Sequence, residues 1–265
     1  MKNQVTADGM IGFDDLGEGR PVVLLHAFPL ARAMWRPQVE ALQPSYRVIT
    51  PDLRGFGDTG GFAEPPSVEQ MADDVAALLT ELAITEPVVL GGLSMGGYVA
   101  LAFARRHAGR LRALILADTR SEADGPEARA NRDQMIRFAA DHTARDVIDQ
   151  MLPKLVSKET SDHRPEVVGE VRRIASAQAP DGVIGALQAL RDRPDATPSL
   201  GAIAVPALVV VGRDDALTPP ENASALASRI RGARLVVIDG AGHLSNLEQP
   251  QRFNDAIRAF LQSLP

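Results

Sequence analysis

A chain of 265 residues has room for one domain, or for one domain with a sizeable insertion. Its 45% hydrophobic and 23% charged residues are ordinary for a globular protein, and a net charge of -6 with scattered Lys and Arg leaves no footprint for nucleic acid. The absence of cysteine excludes disulfides, thiol nucleophiles and thiolate metal sites, and it fits a reducing compartment.

In chain order, the opening reads as a hairpin: "QVTA", a turn at Asp8-Gly9, then "MIGFDDLG" closed by "GEGR". This N-terminus has no apolar leader-like run, and nowhere do roughly eighteen apolar residues follow one another, so a cytoplasmic protein outside the membrane is expected. Short runs rich in Val, Ile and Leu follow at 21–26, 46–52, 87–92, 111–118, 206–212 and 233–239. They do not alternate with polar residues, which is the pattern of strands buried on both faces of a parallel sheet. Helix-like segments lie between them near 32–42, 68–83, 95–107, 219–230 and 248–262. Alternating strands and helices predict an α/β fold: a mostly parallel sheet flanked by helices.

The alternation stops from 121 to 200. There Ala144, Val147, Ile148, Met151, Leu152 and Leu155 follow the helical period, Val167, Val171 and Ile174 suggest a second helix, and Val183, Ile184, Leu187 and Leu190 a third. The turn-rich edges "SEADGP" and "RPDATPS" mark this block as an all-helical cap inserted between two parts of the core, 1–120 and 201–265. The plainer alternative is a helical layer that packs on one face of the sheet.

Chemistry concentrates in "GGLSMGGY", residues 91–98. Ser94 ends a buried strand and a helix starts at about Met95, so the hydroxyl projects from a sharp turn whose neighbours must be small; Gly92 and Gly96 complete G-x-S-x-G. The helix N-terminus offers unpaired N–H groups to a developing oxyanion. A serine also needs a base. Of the five histidines, His107 and His142 sit near helix ends, His163 falls in the polar stretch "KETSDHRPE", and His26 ends a strand. His243, in the glycine-rich loop after the last strand, is at the carboxyl edge of the sheet, where sites form. Three aspartates at strand ends compete as its acidic partner: Asp118, Asp214 and Asp215. No His, Asp or Glu cluster has metal-ligand spacing and no phosphate-binding glycine loop occurs, so no cofactor is expected.

Taken together these stretches resemble the α/β-hydrolase family. "HAFP" at 26–29 is similar to its H-G-x-P oxyanion motif, "DLRGFGDT" at 52–59 to its D-x-R-G-x-G-x-S/T loop, and "GLSMGG" to its nucleophile elbow. "GRDDALTP" at 212–219 resembles the acid loop and "GAGH" at 240–243 the histidine loop, in the family's order Ser, Asp, His. The resemblance implies Ser94 as nucleophile, His243 as general base and Asp215, rather than Asp214, as the acid. It implies an oxyanion hole from the backbone N–H groups of Phe28 and Met95. Ala27 stands where the family has glycine, which puts the approach of the Phe28 amide in question. His26, Asp52 and Arg54 are expected to brace loops.

The implied reaction is hydrolysis of a small to medium carboxylic ester or lactone through an acyl-enzyme. Perhydrolase or haloperoxidase chemistry, or C–C bond hydrolysis, is the alternative on the same triad; a ligand receptor without catalysis is a third reading. A serine nucleophile argues against haloalkane dehalogenases and epoxide hydrolases. Trp35, Met135, Phe138, Met151 and Leu152 are the candidate substrate contacts, predicting an apolar pocket better suited to a small or medium acyl ester than to a highly charged substrate. The oligomeric state has no signature in the sequence.

Overall fold

The computed structural model describes residues 2–6, 9–62 and 64–265. Eight strands form one sheet: β1 (Lys2–Thr6), β2 (Gly9–Leu16), β3 (Pro21–Leu25), β4 (Arg47–Pro51), β5 (Val88–Leu93), β6 (Leu111–Ala117), β7 (Ala207–Gly212) and β8 (Arg234–Ile238). Their spatial order is β1-β2-β4-β3-β5-β6-β7-β8. Strands β3 to β8 are parallel to their neighbours, whereas β2 runs antiparallel to both β1 and β4. Thr6 pairs with Gly9 across the expected hairpin; Asp8, in its turn, lies outside the described residues.

The continuous apolar runs have the expected cause. Side chains alternate between the faces of a strand, and here both faces are covered. Val23, Leu25, Leu90, Leu114, Leu116, Val209 and Val211 join one core cluster, with α2 (Val68–Glu81), α3 (Met95–Arg106) and α9 (Pro220–Arg229) supplying its outer layer. Val22, Leu24, Val89, Ile115, Leu208 and Val210 join the other, against α1 (Arg36–Leu42) and α11 (Pro250–Gln262). Each such side chain contributes about 1.5–3 kcal/mol by leaving water. Strand β8 departs from the expectation: it is the sheet edge, and its Leu235 is exposed.

Between β6 and β7 the chain is helical: α4 (Pro126–Asp141), α5 (Ala144–Leu155), α6 (Lys158–His163), α7 (Pro165–Ser176) and α8 (Pro180–Asp192). Thr143 and Asp146 form a reciprocal capping box that starts α5, and Ser157 accepts from Thr160 N to start α6. The three periodic segments are α5, α7 and α8; the stretch around His163, expected as loop, is the short α6. Apolar residues of this segment divide between both clusters, Val183 and Leu187 to one and Ile148, Leu152 and Val171 to the other. A four-residue helix, α10 (Ser245–Glu248), follows the last strand and leads into α11.

Candidate active site

Strand β5 delivers Ser94 at the turn into α3. Its backbone is in the left-handed region, φ 53° and ψ -111°, unusual for any residue but glycine. Two contacts explain the flanking glycines. A Cβ on Gly92 would lie 2.1 Å from Gly96 O, and one on Gly96 would lie 2.1 Å from Leu25 O, both rigid backbone atoms. Strand, turn and helix therefore approach more closely than any side chain allows, and Ser94 is held proud of the sheet.

His243 Nε2 lies 2.8 Å from Ser94 Oγ, and His243 Nδ1 lies 2.8 Å from Asp215 Oδ2. The imidazole and the carboxylate are buried. Asp215 accepts from Leu217 N at 2.8 Å and Thr218 N at 2.9 Å on Oδ1, and from Thr218 Oγ1 at 2.6 Å on Oδ2. Burial pushes its pKa up, but the charge and hydrogen bond of His243 and the hydrogen bonds of Thr218 outweigh it and hold the carboxyl below the ordinary range. An ionised Asp215 accepts a hydrogen bond from Nδ1–H, which leaves Nε2 as an acceptor facing the serine hydroxyl.

The rival aspartates are elsewhere. Asp118 is fully buried, accepts from Gly212 N at 2.8 Å and shares a 2.5 Å hydrogen bond with Ser245 Oγ. Burial, then the nearby negative charge of Asp215, push its pKa well up. Asp118 thus ties the ends of β6, β7 and the histidine loop together, in surroundings that favour its acid form.

Three of the remaining histidines hold structural hydrogen bonds, and His163 is exposed on α6. His26 donates from Nδ1 to Ala27 O at 3.0 Å and accepts Leu53 N at 2.8 Å, so it is neutral, with burial lowering its pKa. His142 bonds Phe138 O at the end of α4 and His107 meets Asp73 at 2.7 Å. Asp52 accepts Arg32 N and Asp58 N, and Arg54 pairs with Asp74, so the 52–59 loop is braced as expected. Ala27 does not adopt a positive φ, so alanine fits there without strain. The Phe28 and Met95 N–H groups have no hydrogen-bond partner among the described residues. No group of three His, Asp or Glu among the described residues is arranged to hold a metal ion.

A cavity of about 350 Å³ opens beside Ser94 and His243. Phe28, Met135 and Met151 line it; three of the candidate substrate contacts do not. Trp35 is 1% exposed and packs on Phe253 in the core, because its bulk fills the gap between α1 and α11. Leu152 faces the same cluster from α5. Phe138 stacks on His142 at 3.8 Å, on the far end of α4. The expectation of an apolar pocket is also corrected. Besides Leu155, Leu187 and Leu190 the wall carries Tyr98, Arg120, Asp124, Asn131, Arg132, Gln150 and Lys154. These polar residues come from α3, the loop after β6 and helices α4 and α5, and no spacing motif in the sequence announces their convergence.

With strand order, elbow and relay in place, comparison with known proteins agrees. Residues 20–250 match the profile of the alpha/beta hydrolase fold, and the chain belongs to that family. It is similar to a thermophilic esterase from Thermogutta terrifontis, solved with malate bound, at 43% identity and a TM-score of 0.95, over 99% of this chain and 98% of that one. It is 28% identical to 3-oxoadipate enol-lactonase 2 of Acinetobacter baylyi, over 98% of this chain and 97% of the relative. A bromoperoxidase from Bacillus anthracis superposes with a TM-score of 0.87 at 25% identity, covering 99% of this chain and all of that one. The esterase and lactonase relatives make the protein a hydrolase.

Proposed function

We propose that the protein hydrolyses a small to medium carboxylic ester or lactone through an acyl-enzyme on Ser94. The observation that carries this reading is the unbroken hydrogen-bonded path from Ser94 Oγ through both nitrogens of His243 to Asp215, opening on a cavity. In the first step Ser94 Oγ attacks the carbonyl carbon while His243 Nε2 takes its proton. Asp215 stabilises the imidazolium through Nδ1–H. The Phe28 and Met95 N–H groups, otherwise unengaged, receive the tetrahedral oxyanion. Collapse releases an alcohol, protonated by His243, and water activated by the same imidazole then frees the acid. In a lactone the leaving hydroxyl stays on the acyl chain. Residues 121–200 act as a cap that closes the cavity over the core formed by 1–120 and 201–265.

Hydrolysis of p-nitrophenyl esters from acetate to decanoate tests this reading. Turnover peaking at one chain length, and lost in Ser94→Ala, is expected; turnover that persists in the variant would contradict it. Likeness to the bromoperoxidase supports a second reading, in which hydrogen peroxide replaces water and the acyl-enzyme yields a peracid. Acetate- and peroxide-dependent bromination of a phenol dye, absent without acetate, would favour it.

A further inference from the structure

The cavity beside Ser94 has an unbalanced wall. Besides His243 and the phenol of Tyr98, its ionisable residues are three cations, Arg120, Arg132 and Lys154, and one carboxylate, Asp124. That carboxylate is already saturated. Its Oδ1 takes Arg120 at 2.5 Å and Arg193 at 2.8 Å, its Oδ2 takes Arg132 at 3.2 Å, and its side chain is wholly buried. One negative charge therefore serves three guanidiniums, and Lys154 has no ion-pair partner among the described residues. Arg132 spends only Nε on Asp124, leaving its terminal nitrogens without an acceptor there. Arg120 Nε is buried and without a partner.

Uncompensated cations beside a partly desolvated cavity attract an anion, and guanidinium forks match the two oxygens of a carboxylate. Met135, Met151, Leu155 and Leu187 supply an apolar stretch along the same cavity. At about 350 Å³ the space is at the small end for ligand pockets, which suits a carboxylate on a short methylene chain better than a bulky phosphorylated carrier. We infer that the substrate carries a free carboxylate held by Arg132, Arg120 and Lys154, as in the half-ester of a short dicarboxylic acid. This inference rests on the reading of Ser94 as the nucleophile that meets the ester at the other end.

The test is pH-stat hydrolysis of monomethyl against dimethyl adipate, which share a skeleton and differ by one charge. A parallel pair, 4-acetoxybutanoate against its methyl ester, moves the carboxylate from the acyl to the alcohol side. The half-ester is expected to show kcat/KM at least tenfold above the diester, chiefly through KM, and this ratio should fall about tenfold in Lys154→Gln and in Arg132→Gln. Lys154→Gln is the cleaner variant, since it breaks no ion pair. Higher preference in the acetoxybutanoate pair than in the adipate pair would overturn the acyl-side assignment. Serine-dependent turnover with a ratio of one or less for both pairs would overturn the inference and leave the hydrolase reading intact. Calorimetry of the wild-type protein with adipate and with neutral adipamide separates the two ideas further. Adipate is expected to bind at least tenfold more tightly, equal binding would overturn the anion site, and tight binding without turnover of any ester would sink the hydrolase reading alone.

Discussion

Asp215 is oriented before it meets the histidine: Leu217 N, Thr218 N and Thr218 Oγ1 fix both of its oxygens. Replacing it by Asn keeps the shape but offers His243 an amide that can donate, which favours the wrong tautomer. Asp215→Asn should lower kcat for ester hydrolysis by about 10⁴-fold with little change in melting temperature; a loss below tenfold would show that His243 does not depend on this carboxylate. Asp118 behaves oppositely. With its pKa raised, the folded state holds a proton that the unfolded chain releases above about pH 4. Stability is therefore fully present below that pH and declines as pH rises towards the folded value, by up to about 1.4 kcal/mol per pH unit. Asn can accept from Gly212 N with one atom and donate to Ser245 with the other, and it tolerates the positive φ of 45°. Asp118→Asn should flatten the decline of melting temperature as pH rises above about 4; an unchanged slope would contradict the raised pKa of Asp118.

Among the elements, the link between the helical segment and the histidine loop is a buried carboxylate. Glu248, at the end of α10, accepts Ser157 N and Gly242 N, each at 2.8 Å, and Leu244 N bonds Leu155 O. The start of α6 and the loop bearing His243 thus share one anchor. Glu248→Ala would leave two buried N–H groups unpaired, at a cost of about 2–5 kcal/mol. A lower melting temperature together with a fall in kcat is expected. A variant that melts lower with unchanged kcat would show that the anchor does not position His243. Nothing in "SNLEQP" distinguishes this glutamate from a solvated one, since its partners are main-chain groups remote in sequence. Helix α4 was equally hidden: among its sixteen residues Ala139 alone is buried, so it shows no apolar stripe. By contrast α5, α7 and α8 each bury a continuous face, and their period was plain.

For the molecule as a whole, legibility followed burial. Strands covered on both faces wrote their position into unbroken apolar runs, and the elbow wrote its into glycines that no other residue can replace. The candidate triad could be read from residues at and after strand ends, and family resemblance favoured Asp215 over Asp118 and Asp214. The cavity was not legible: Trp35 and Leu152 have the chemistry of a pocket wall and the position of a core, and the charged wall assembles only when α4, α5 and the loop after β6 meet. The fold thus brings a half-buried serine, an oriented imidazole and a charged, half-apolar cavity together at one edge of the sheet. The central claim is that Ser94 carries the acyl group. The most direct measurement is peptide mass mapping after rapid acid quench of the protein mixed with p-nitrophenyl acetate. An acetyl adduct is expected on the peptide that contains Ser94 and none in Ser94→Ala; turnover with the adduct on another residue, or with no adduct under single-turnover conditions, would contradict acylation of Ser94.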